Sequence, residues 1–341
     1  MRHNRYSVGR ETKHSPIAKV LLLGRSEVEE LLNMGEALNA VERSFSLKAE
    51  GRVLMPPKLY LDLPEYHGDF RAMPAYIEGS AGLKWVSVYP GNRKRHLLSV
   101  VATIILCDPD SGYPLAIMDG THITDMRTGA AGGVAVKYLA RRDSCIIGII
   151  GAGMQAKTQL LAINEVLPGI KEVKVFDQYR DAALRYAQEM RVNLNLNIRP
   201  AETIEEAAEA DIVVTTTPSR TPIVKKHHIK PGTHINAIGA DAKGKQELES
   251  DLLRGGKIIV DEIEQASHSG EINVPLCEGL IKVEEIYGTL GEVVVGTKKG
   301  RESDAEITIF DSTGLAIQDI ICAKMVYEKC RGSDVPAFEL F

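Results

Sequence analysis

The segment from residue 149 to residue 156 limits the possible folds of this chain more than any other. It reads IIGAGMQA, follows an apolar run at 145–150 and precedes a helical pattern at about 155–166. Gly151 permits the tight turn, Gly153 allows the backbone to approach a pyrophosphate, and a helix beginning here presents free N–H groups. The segment therefore predicts the strand–turn–helix of a dinucleotide-binding Rossmann domain.

An acidic residue supports this interpretation. Asp177 ends the next predicted strand, about 20 residues after Ala156, where the dinucleotide fingerprint places a carboxylate on the ribose 2′-hydroxyl. A carboxylate there would repel a 2′-phosphate, so the sequence favours NAD over NADP. The alternative is a structural glycine turn followed by an unrelated surface Asp.

The pattern around this motif predicts a doubly wound parallel sheet. Short apolar runs alternate with helical patterns from about residue 125 onward, as is typical of parallel strands joined by crossover helices. The runs lie at 145–150, 173–176, 212–216, 234–238, 257–260 and 307–310. An Ala- and Gly-rich stretch at 126–140 predicts a tightly packed helix, and 315–327 predicts another.

The first part of the chain has a different texture. Residues 26–50 predict one helix, with a capping box formed by Ser26 and Glu29 and a stop signal at Gly51. Four β-prone runs follow between Pro, Gly and Asp clusters, at 59–63, 82–88, 100–106 and 114–118. They predict an antiparallel sheet. The expected fold class is therefore α/β, a Rossmann domain with an α+β domain before it.

Composition excludes several classes of partner. Of 341 residues, 41 are Lys or Arg and 46 are Asp or Glu, which gives a formal net charge of −5. This balance provides no general electrostatic reason to bind nucleic acid or an anionic membrane. No apolar run approaches the roughly 18 residues that a membrane helix needs. We expect neither nucleic acid nor membrane as a partner.

The cysteines and histidines predict neither a disulfide framework nor a metal site. The five cysteines are widely spaced and form no CxxC pair. The neighbouring His227 and His228 lack further residues at metal-ligand spacing, so we interpret them as surface residues. A reducing cytoplasm is the expected location. Residues 1–19 are interpreted as a flexible tail.

Four charged residues are candidates for chemistry. Arg71 and Lys84 interrupt apolar stretches, and a buried cation needs an anionic partner, which a substrate carboxylate provides. Lys84 is also a candidate acid/base if burial lowers its pKa. Arg127 begins the small-residue helix. Asp241 follows a predicted strand, where ligands of such sheets lie. Structural salt bridges and a loop-capping Asp are the alternatives.

Further candidates follow other predicted strands. Thr216 and Thr217 are placed to line the cofactor groove, and Ser312 precedes the last helix and is placed to reach the nicotinamide. Residues of these types at such positions also cap helices, which is the alternative for each.

Together these segments resemble the ornithine cyclodeaminase/μ-crystallin family, and within it the archaeal-type alanine dehydrogenases. The resemblance covers about residues 25–330. The matching segments are RAMPA at 71–75, GLKWV at 82–86, MRTGAAGG at 126–133, GAGMQA at 151–156, HINAIGAD at 234–241, GEIN at 270–273 and FDSTGLAIQD at 310–319.

The resemblance implies an architecture and a set of site residues. It implies an NAD-binding Rossmann domain at 127–315 and a substrate and dimerisation domain at 20–126 with 316–341, in a homodimer. Lys84 and Asp241 are the implied catalytic residues, and Lys84 and Arg127 the implied substrate-binding residues. Arg71 is a third predicted substrate-binding residue, from its own chemistry, because the cyclodeaminases place a Glu at this position. Implied or predicted cofactor contacts are Ser99, Arg127, Gly151, Gly153, Met154, Gln155, Asp177, Thr216, Thr217, Asn236, Ala237, Ile238 and Ser312.

The resemblance also implies the reaction. We expect NAD-dependent oxidative deamination of a small L-amino acid, most directly L-alanine to pyruvate and ammonia. Three alternatives remain open: an ornithine cyclodeaminase, a reductase of cyclic ketimines, and a μ-crystallin-like protein that binds cofactor and ligand without turnover. Asp241 speaks against the last, because that branch carries a hydroxyl residue there.

Overall fold

The structure is a computed structural model that describes residues 19–332 and 335–340. The predicted tail at 1–19 lies outside the described residues except for Lys19, which begins the first strand. The strands are β1 (Lys19–Leu23), β2 (Val53–Leu54), β3 (Leu59–Leu63), β4 (Gly68–Ile77), β5 (Ser80–Val88), β6 (Val100–Cys107), β7 (Pro114–Asp119), β8 (Ile146–Ile150), β9 (Glu172–Phe176), β10 (Ile198–Pro200), β11 (Ile212–Thr215), β12 (His234–Ala237), β13 (Lys257–Val260), β14 (Gly288–Thr289), β15 (Thr308–Asp311) and β16 (Ala337–Glu339).

Eleven α-helices complete the described part of the chain, together with four short 3-10 turns. The helices are α1 (Arg25–Leu31), α2 (Met34–Ala49), α3 (Gly120–Leu139), α4 (Met154–Val166), α5 (Arg180–Leu194), α6 (Ile204–Ala208), α7 (Ser250–Gly255), α8 (Ile263–Ser269), α9 (Asn273–Cys277), α10 (Leu290–Val294) and α11 (Ala316–Cys330). None of the helices in residues 19–332 is long and apolar enough to span a bilayer.

The first sheet has the order β16-β1-β7-β6-β5-β4-β2, with β3 also paired to β4. The strands β4 to β7 pair antiparallel, which confirms the prediction for this part of the chain. Two features were not predicted: β4, which reads as a broken apolar run, and β1, which pairs parallel to β7. α3 and α11 pack on one face of the sheet, and α2 packs on these two helices.

The prediction of a single helix at 26–50 is wrong, because the helix is interrupted between α1 and α2. Asn33 caps α2: its Oδ1 accepts from the Glu36 N–H at 3.0 Å, and Glu36 Oε2 accepts from the Asn33 N–H at 3.3 Å. The capping box therefore lies here and not at Ser26, which lies inside the first turn of α1. Gly51 follows α2 with a φ of +69°, as the predicted stop signal requires.

The second sheet has the order β10-β9-β8-β11-β12-β15-β13-β14, and all its pairs are parallel. This confirms the predicted doubly wound sheet. The chain winds outward from β8 through β9 and β10 and then returns to β11 on the other side. The strand order thus reverses between β8 and β11, where α/β sheets bind ligands beyond the carboxyl ends of their strands.

Two helices join the sheets into one body. α3 is almost entirely buried and crosses α4 closely. The close crossing requires glycine at position 129, because a side chain there would collide with the backbone of Thr158. α11 leaves the second sheet after β15 and packs across β4, β5 and β6 of the first. α3 runs continuously through residue 127, so no loop marks the predicted domain boundary between residues 126 and 127. The division of the chain into these two domains stays a prediction.

Candidate functional site

The groove at the switch point is formed by the predicted glycine turn. Gly151 has a φ of +99°, and a Cβ on it would lie 2.9 Å from Thr216 Oγ1, so only glycine suits this position. Its N–H donates to the Phe176 carbonyl at 2.8 Å. α4 begins directly after Gly153 and presents its N-terminal N–H groups to the groove.

Asp177 lies at the rim of this groove and organises it. Its Oδ2 accepts from the Ala152 N–H and its Oδ1 from the Tyr179 N–H, both at 2.9 Å. A cavity of about 260 Å³ is bounded by this residue together with Gly151, Gly153, Thr216 and Thr217. The structure thus brings five predicted cofactor residues to one cavity.

A second cavity, of about 120 Å³, lies between the two sheets. Four cationic side chains line it, Lys58, Arg71, Lys84 and Arg127. Asp241 is the one acidic side chain in its wall, and the apolar part includes Met73, Val86 and Val88. Gln155 also lines this cavity, two residues after Gly153 of the groove, so the first turn of α4 connects the two spaces.

The register of the first sheet explains why two cations share one face. Arg71 on β4 pairs with Val86 on β5, and Lys84 on β5 pairs with Met73 on β4. Side chains alternate along a strand, so all four point to the covered face of the sheet. Lys84 is 1% exposed and Arg71 5% exposed. Their burial, inferred from the interrupted apolar runs, is confirmed.

Lys84 and Arg127 share one carboxylate. Asp319 of α11 is fully buried; its Oδ2 lies 2.8 Å from Lys84 Nζ, and its Oδ1 accepts from Arg127 Nε at 2.9 Å. Lys84 Nζ also lies 3.4 Å from Thr124 Oγ1. Burial, and then repulsion by Arg127, lower the pKa of Lys84 to about 7, although Asp319 opposes both. Lys84 can therefore exchange a proton near neutral pH.

Arg71 is held by two carboxylates. Its Nε donates to Asp69 Oδ1 at 2.6 Å, and its Nη1 donates to Asp241 Oδ2 at 2.9 Å. Lys245 forms a second ion pair with Asp241. Burial alone would raise the pKa of Asp241, but Arg71 and Lys245 outweigh it and hold that pKa well below its usual range. Asp241 therefore stays ionised and is a weak base.

Lys58 was not predicted as a site residue. Its Nζ donates to the Thr313 carbonyl at 2.5 Å, and the charges of Arg71 and Arg127 act on it against those of Asp261 and Asp241. Burial, followed by repulsion from Arg71, lowers its pKa to about 8. Lys58 follows two prolines and precedes a β-prone run, and this local pattern does not indicate a site residue. Its hydrogen-bond partner, Thr313, lies 255 residues away in the sequence.

Buried carboxylates fix the turns that form the floor of both cavities. Glu247 accepts from the backbone N–H groups of Thr217 and Gly239, at 2.6 and 2.9 Å. Asp261 accepts from the N–H groups of Thr313 and Gly314, both at 2.7 Å. Both acids are fully buried, and burial raises the pKa of Asp261. Neither was predicted.

The remaining predicted residues differ in where they point. Ser99 Oγ, Gln155 Oε1 and Ser312 Oγ are buried and lack a hydrogen-bond partner among the described residues. Ile238 lines the second cavity, whereas Ala237 is buried and Met154 is 46% exposed. The Asn236 amide faces the interior and donates to Gly132 O and Gln159 Oε1, both at 3.1 Å.

No cluster of three or more metal-ligating side chains occurs in residues 19–332 or 335–340. The predicted surface position of the two adjacent histidines is wrong for His228, which is 9% exposed, with its Nδ1 accepting from the Lys225 N–H at 3.2 Å.

Comparisons with known proteins agree with this geometry. The profile of the ornithine cyclodeaminase/mu-crystallin family matches residues 18–334. An alanine dehydrogenase from Archaeoglobus fulgidus is 52% identical over 318 residues, which is 93% of this chain and 97% of the relative.

Two solved structures are similar over nearly the whole chain. An archaeal alanine dehydrogenase dimer with bound NAD has a TM-score of 0.91 and 50% identity, over 95% of this chain and 100% of that one. A Thermococcus litoralis Δ1-pyrroline-2-carboxylate reductase in complex with NADH and L-proline has a TM-score of 0.90 and 45% identity, over 93% and 99%.

Proposed function

This chain belongs to the ornithine cyclodeaminase/mu-crystallin family, and we propose that it catalyses NAD-dependent oxidative deamination of a small L-amino acid. The proposed substrate is L-alanine, converted reversibly to pyruvate and ammonia. The observation that carries the proposal is the Lys84–Asp319–Arg127 cluster. It places an amine with a pKa of about 7 in a small cavity next to the dinucleotide groove.

The residues that line the groove suit a bound NAD. The turn at Gly151 leaves room that a side chain would fill, and the N-terminus of α4 suits a pyrophosphate. The unpartnered Ser312 Oγ and Gln155 Oε1 are available to polar groups of the nicotinamide end. When bound, NAD supplies the hydride acceptor.

Lys84 is the proposed acid/base. Loss of hydride from Cα and of a proton from the amine converts the amino acid to an imine, and water then adds to the imine carbon. The proton lost from the amine goes to solvent. Neutral Lys84 accepts a proton from the attacking water and returns it to the nitrogen, which gives a carbinolamine. Lys84 then moves the hydroxyl proton of the carbinolamine to the nitrogen as the C–N bond breaks, which releases ammonia and the ketone. Asp241 is proposed to hold the substrate amine as a fixed carboxylate, since its low pKa makes it a weak base.

The cations of the cavity are suited to a carboxylate. Arg127 approaches it from α3 and Lys58 from the segment before β3, and among the described residues the one hydrogen bond of the Lys58 amine is to a carbonyl. Arg71 makes a smaller contribution in this proposal, because two carboxylates already hold it. Met73, Val86 and Val88 then surround a short apolar side chain.

One alternative substrate is favoured by a specific observation. The apolar part of the cavity also suits the ring of a cyclic imino acid, and a similar solved structure is a reductase in complex with L-proline. Reduction of a cyclic ketimine would use the same hydride transfer and the same carboxylate site.

Ornithine is the least suitable of the candidates. Its cationic tail would enter a cavity lined by four cationic side chains. Two like charges about 4 Å apart at an effective dielectric near 20 repel by roughly 4 kcal/mol, and solvent reduces this. We therefore expect little conversion of ornithine.

One set of assays tests the proposal. The purified protein is incubated with L-alanine plus NAD, with pyruvate, ammonia and NADH, with the cyclic ketimine plus NADH, and with L-ornithine plus NAD. We expect net NADH formation with L-alanine and net consumption in the reverse assay. Rapid proline formation from ornithine without net NADH, reduction of the ketimine alone, or cofactor binding without turnover would each contradict the proposed substrate.

Asp177 is expected to set the preference for NAD. The Asp177→Ser variant loses the repulsion of a 2′-phosphate and a charge-assisted hydrogen bond to the ribose worth about 1.5–3 kcal/mol. The ratio of kcat/KM for NAD to that for NADP should fall by at least about tenfold. Asp177→Asn is the matched control for turn integrity, because it keeps an acceptor for the Tyr179 N–H. Equal use of both cofactors by the unaltered protein would refute this assignment.

We propose that the chain forms a homodimer through the outer face of the first sheet. Trp85 is 40% exposed there, Val101 44% and Ile105 37%, and Trp85 stacks on Phe70 with ring centroids 5.3 Å apart. Such a contiguous apolar face is typical of an interaction surface. The archaeal alanine dehydrogenase of similar structure is a dimer.

The double substitution Trp85→Glu with Val101→Glu should convert the dimer to a monomer. Light scattering after size exclusion measures the mass. Val192→Glu is the control, because Val192 is 81% exposed on α5 and lies away from this sheet. A double variant with the mass of the unaltered protein would show that copies meet elsewhere.

A further inference from the structure

We infer that Arg93 is a further cofactor-binding residue, whose guanidinium binds the pyrophosphate of the dinucleotide from the side of the first sheet. This inference rests on the proposed function. The sequence motifs place all the cofactor residues except Ser99 and Arg127 around the second sheet. Arg93 would add a cofactor contact from the first sheet.

The loop that carries Arg93 is internally braced. It joins β5 to β6 and contains the 3-10 turn Pro90–Arg95. The Tyr89 N–H donates to Ser99 O at 2.7 Å, and Asn92 Nδ2 donates to Leu98 O at 2.9 Å. The Arg93 carbonyl accepts from the His96 N–H at 3.2 Å, with His96 in the left-handed region at a φ of +56°. The backbone of Arg93 is thus held by contacts within the loop.

The side chain of Arg93 reaches the dinucleotide groove. It bounds the cavity of about 260 Å³ that Gly153 and Asp177 also bound. Its Nη2 lies 3.9 Å from the position that a Cβ would occupy on Gly153. In the part of the chain that the structure describes, this guanidinium makes no side-chain hydrogen bond or ion pair, and Asp177 in the same wall does not pair with it.

Two positive groups face the same part of the groove. The N-terminus of α4 carries the positive end of the helix dipole, and the guanidinium is a full positive charge beside it. An anion bound there is attracted by both. The pyrophosphate is the part of a dinucleotide that a glycine turn and a helix N-terminus bind, so the geometry selects the phosphates rather than the adenine or the ribose.

The neighbouring cations supply a matched control. Lys94 follows Arg93 in the same exposed turn but does not bound the groove. The variants Arg93→Ala and Lys94→Ala therefore remove the same charge from the same loop. Titration of each with NADH, ADP-ribose and adenosine, followed by calorimetry, separates a phosphate contact from any other.

For Arg93→Ala we expect affinity for NADH and for ADP-ribose to fall by about tenfold, as for one charge-assisted hydrogen bond at an exposed position. Adenosine, which lacks phosphates, should bind as it does to the unaltered protein, and Lys94→Ala should resemble the unaltered protein with all three probes. Arg93→Lys should recover part of the lost affinity.

Three results would overturn the inference. Unchanged NADH affinity in Arg93→Ala would show that the guanidinium makes no cofactor contact. An equal loss for adenosine would place the guanidinium on the adenine, and a loss for NADH without a loss for ADP-ribose would place it on the nicotinamide half. If the unaltered protein binds no NADH, the proposed function fails together with this inference, whereas the first three results leave the proposed function standing.

Discussion

Replacing Lys84 with alanine is expected to reduce turnover by about a thousandfold or more, because general acid–base catalysis by one positioned group contributes 10²–10⁴-fold and the same change disturbs the carboxylate site. Lys84 is the amine in the cavity with a pKa near 7, and its neighbour Asp241 stays ionised. The other amine of the cavity, Lys58, has a pKa of about 8 and donates to the Thr313 carbonyl.

The binding of NADH should change little in this variant, because Lys84 lies in the first sheet and does not bound the dinucleotide groove. Lys84→Met is the matched control for packing, since it keeps most of the buried volume without the amine. Both variants should bind NADH, and both should be inactive. Added ethylamine should restore part of the rate to Lys84→Ala, where it has room, and not to Lys84→Met.

Retention of most of kcat by Lys84→Ala would show that this lysine is structural. Full loss of NADH binding in Lys84→Met, with the fold intact by circular dichroism, would show instead that the two cavities act as one site. The first result would shift the role of acid/base to another group in the cavity.

The part of the site that the sequence predicts best is the part that is local in the chain. The turn at Gly151, the start of α4 and the carboxylate of Asp177 all depend on residues within about 30 positions of one another. Local spacing and backbone conformation determine such a motif, so both can be read from the residues. The prediction of a doubly wound sheet follows from the same regular alternation.

The residues that were missed depend on contacts between distant segments. Asp319 meets Arg127 across 192 positions, and Lys58 meets Thr313 across 255. Asp319 lies in the segment that carried the family resemblance, but nothing in its local pattern distinguishes a buried counter-ion from a first-turn helix acid. Its role as counter-ion to Lys84 and Arg127 depends on the packing of α11 on the first sheet.

Errors in the secondary structure have a similar cause. A continuous helical pattern at 26–50 contains a strong N-cap at Asn33, and an N-cap inside such a pattern starts a new helix. The strand β4 was missed because Arg71 and Pro74 interrupt its apolar residues. Pro74 is tolerated within the strand, and Arg71 is buried only because Asp69 and Asp241 supply its counter-ions.

Asp319→Asn should move the pH dependence of alanine oxidation to lower pH. The neutral form of Lys84 is the base in the proposed mechanism, so kcat/KM in the unaltered protein should rise with pH through about 7. Asp319 favours the charged form of Lys84, whereas burial, Arg127 and Lys58 disfavour it. Removing the carboxylate therefore lowers the pKa of Lys84 further, by about one unit or more.

A control distinguishes this effect from a general change in the charge of the cavity. Asp69→Asn also removes a carboxylate near the cavity, but Asp69 pairs with Arg71 and not with Lys84. Its midpoint should stay where the unaltered protein has it. Asp319→Asn should also lose about 3–5 kcal/mol of stability, since it leaves two buried cations without their shared partner. Profiles are therefore recorded well below the thermal midpoint of each variant.

The direction of the shift is what tests the arrangement. A carboxylate that only supported the packing of α11 would change Tm and the size of kcat but not the pH at which activity appears. If the carboxylate of Asp319 stabilises the charged form of Lys84, then Lys84 loses its proton more easily when that carboxylate is removed. Relative activity near pH 6 should therefore rise even as the maximum falls. An unchanged midpoint in a folded Asp319→Asn variant would contradict both the role of Asp319 and the assignment of Lys84 as the titrating base.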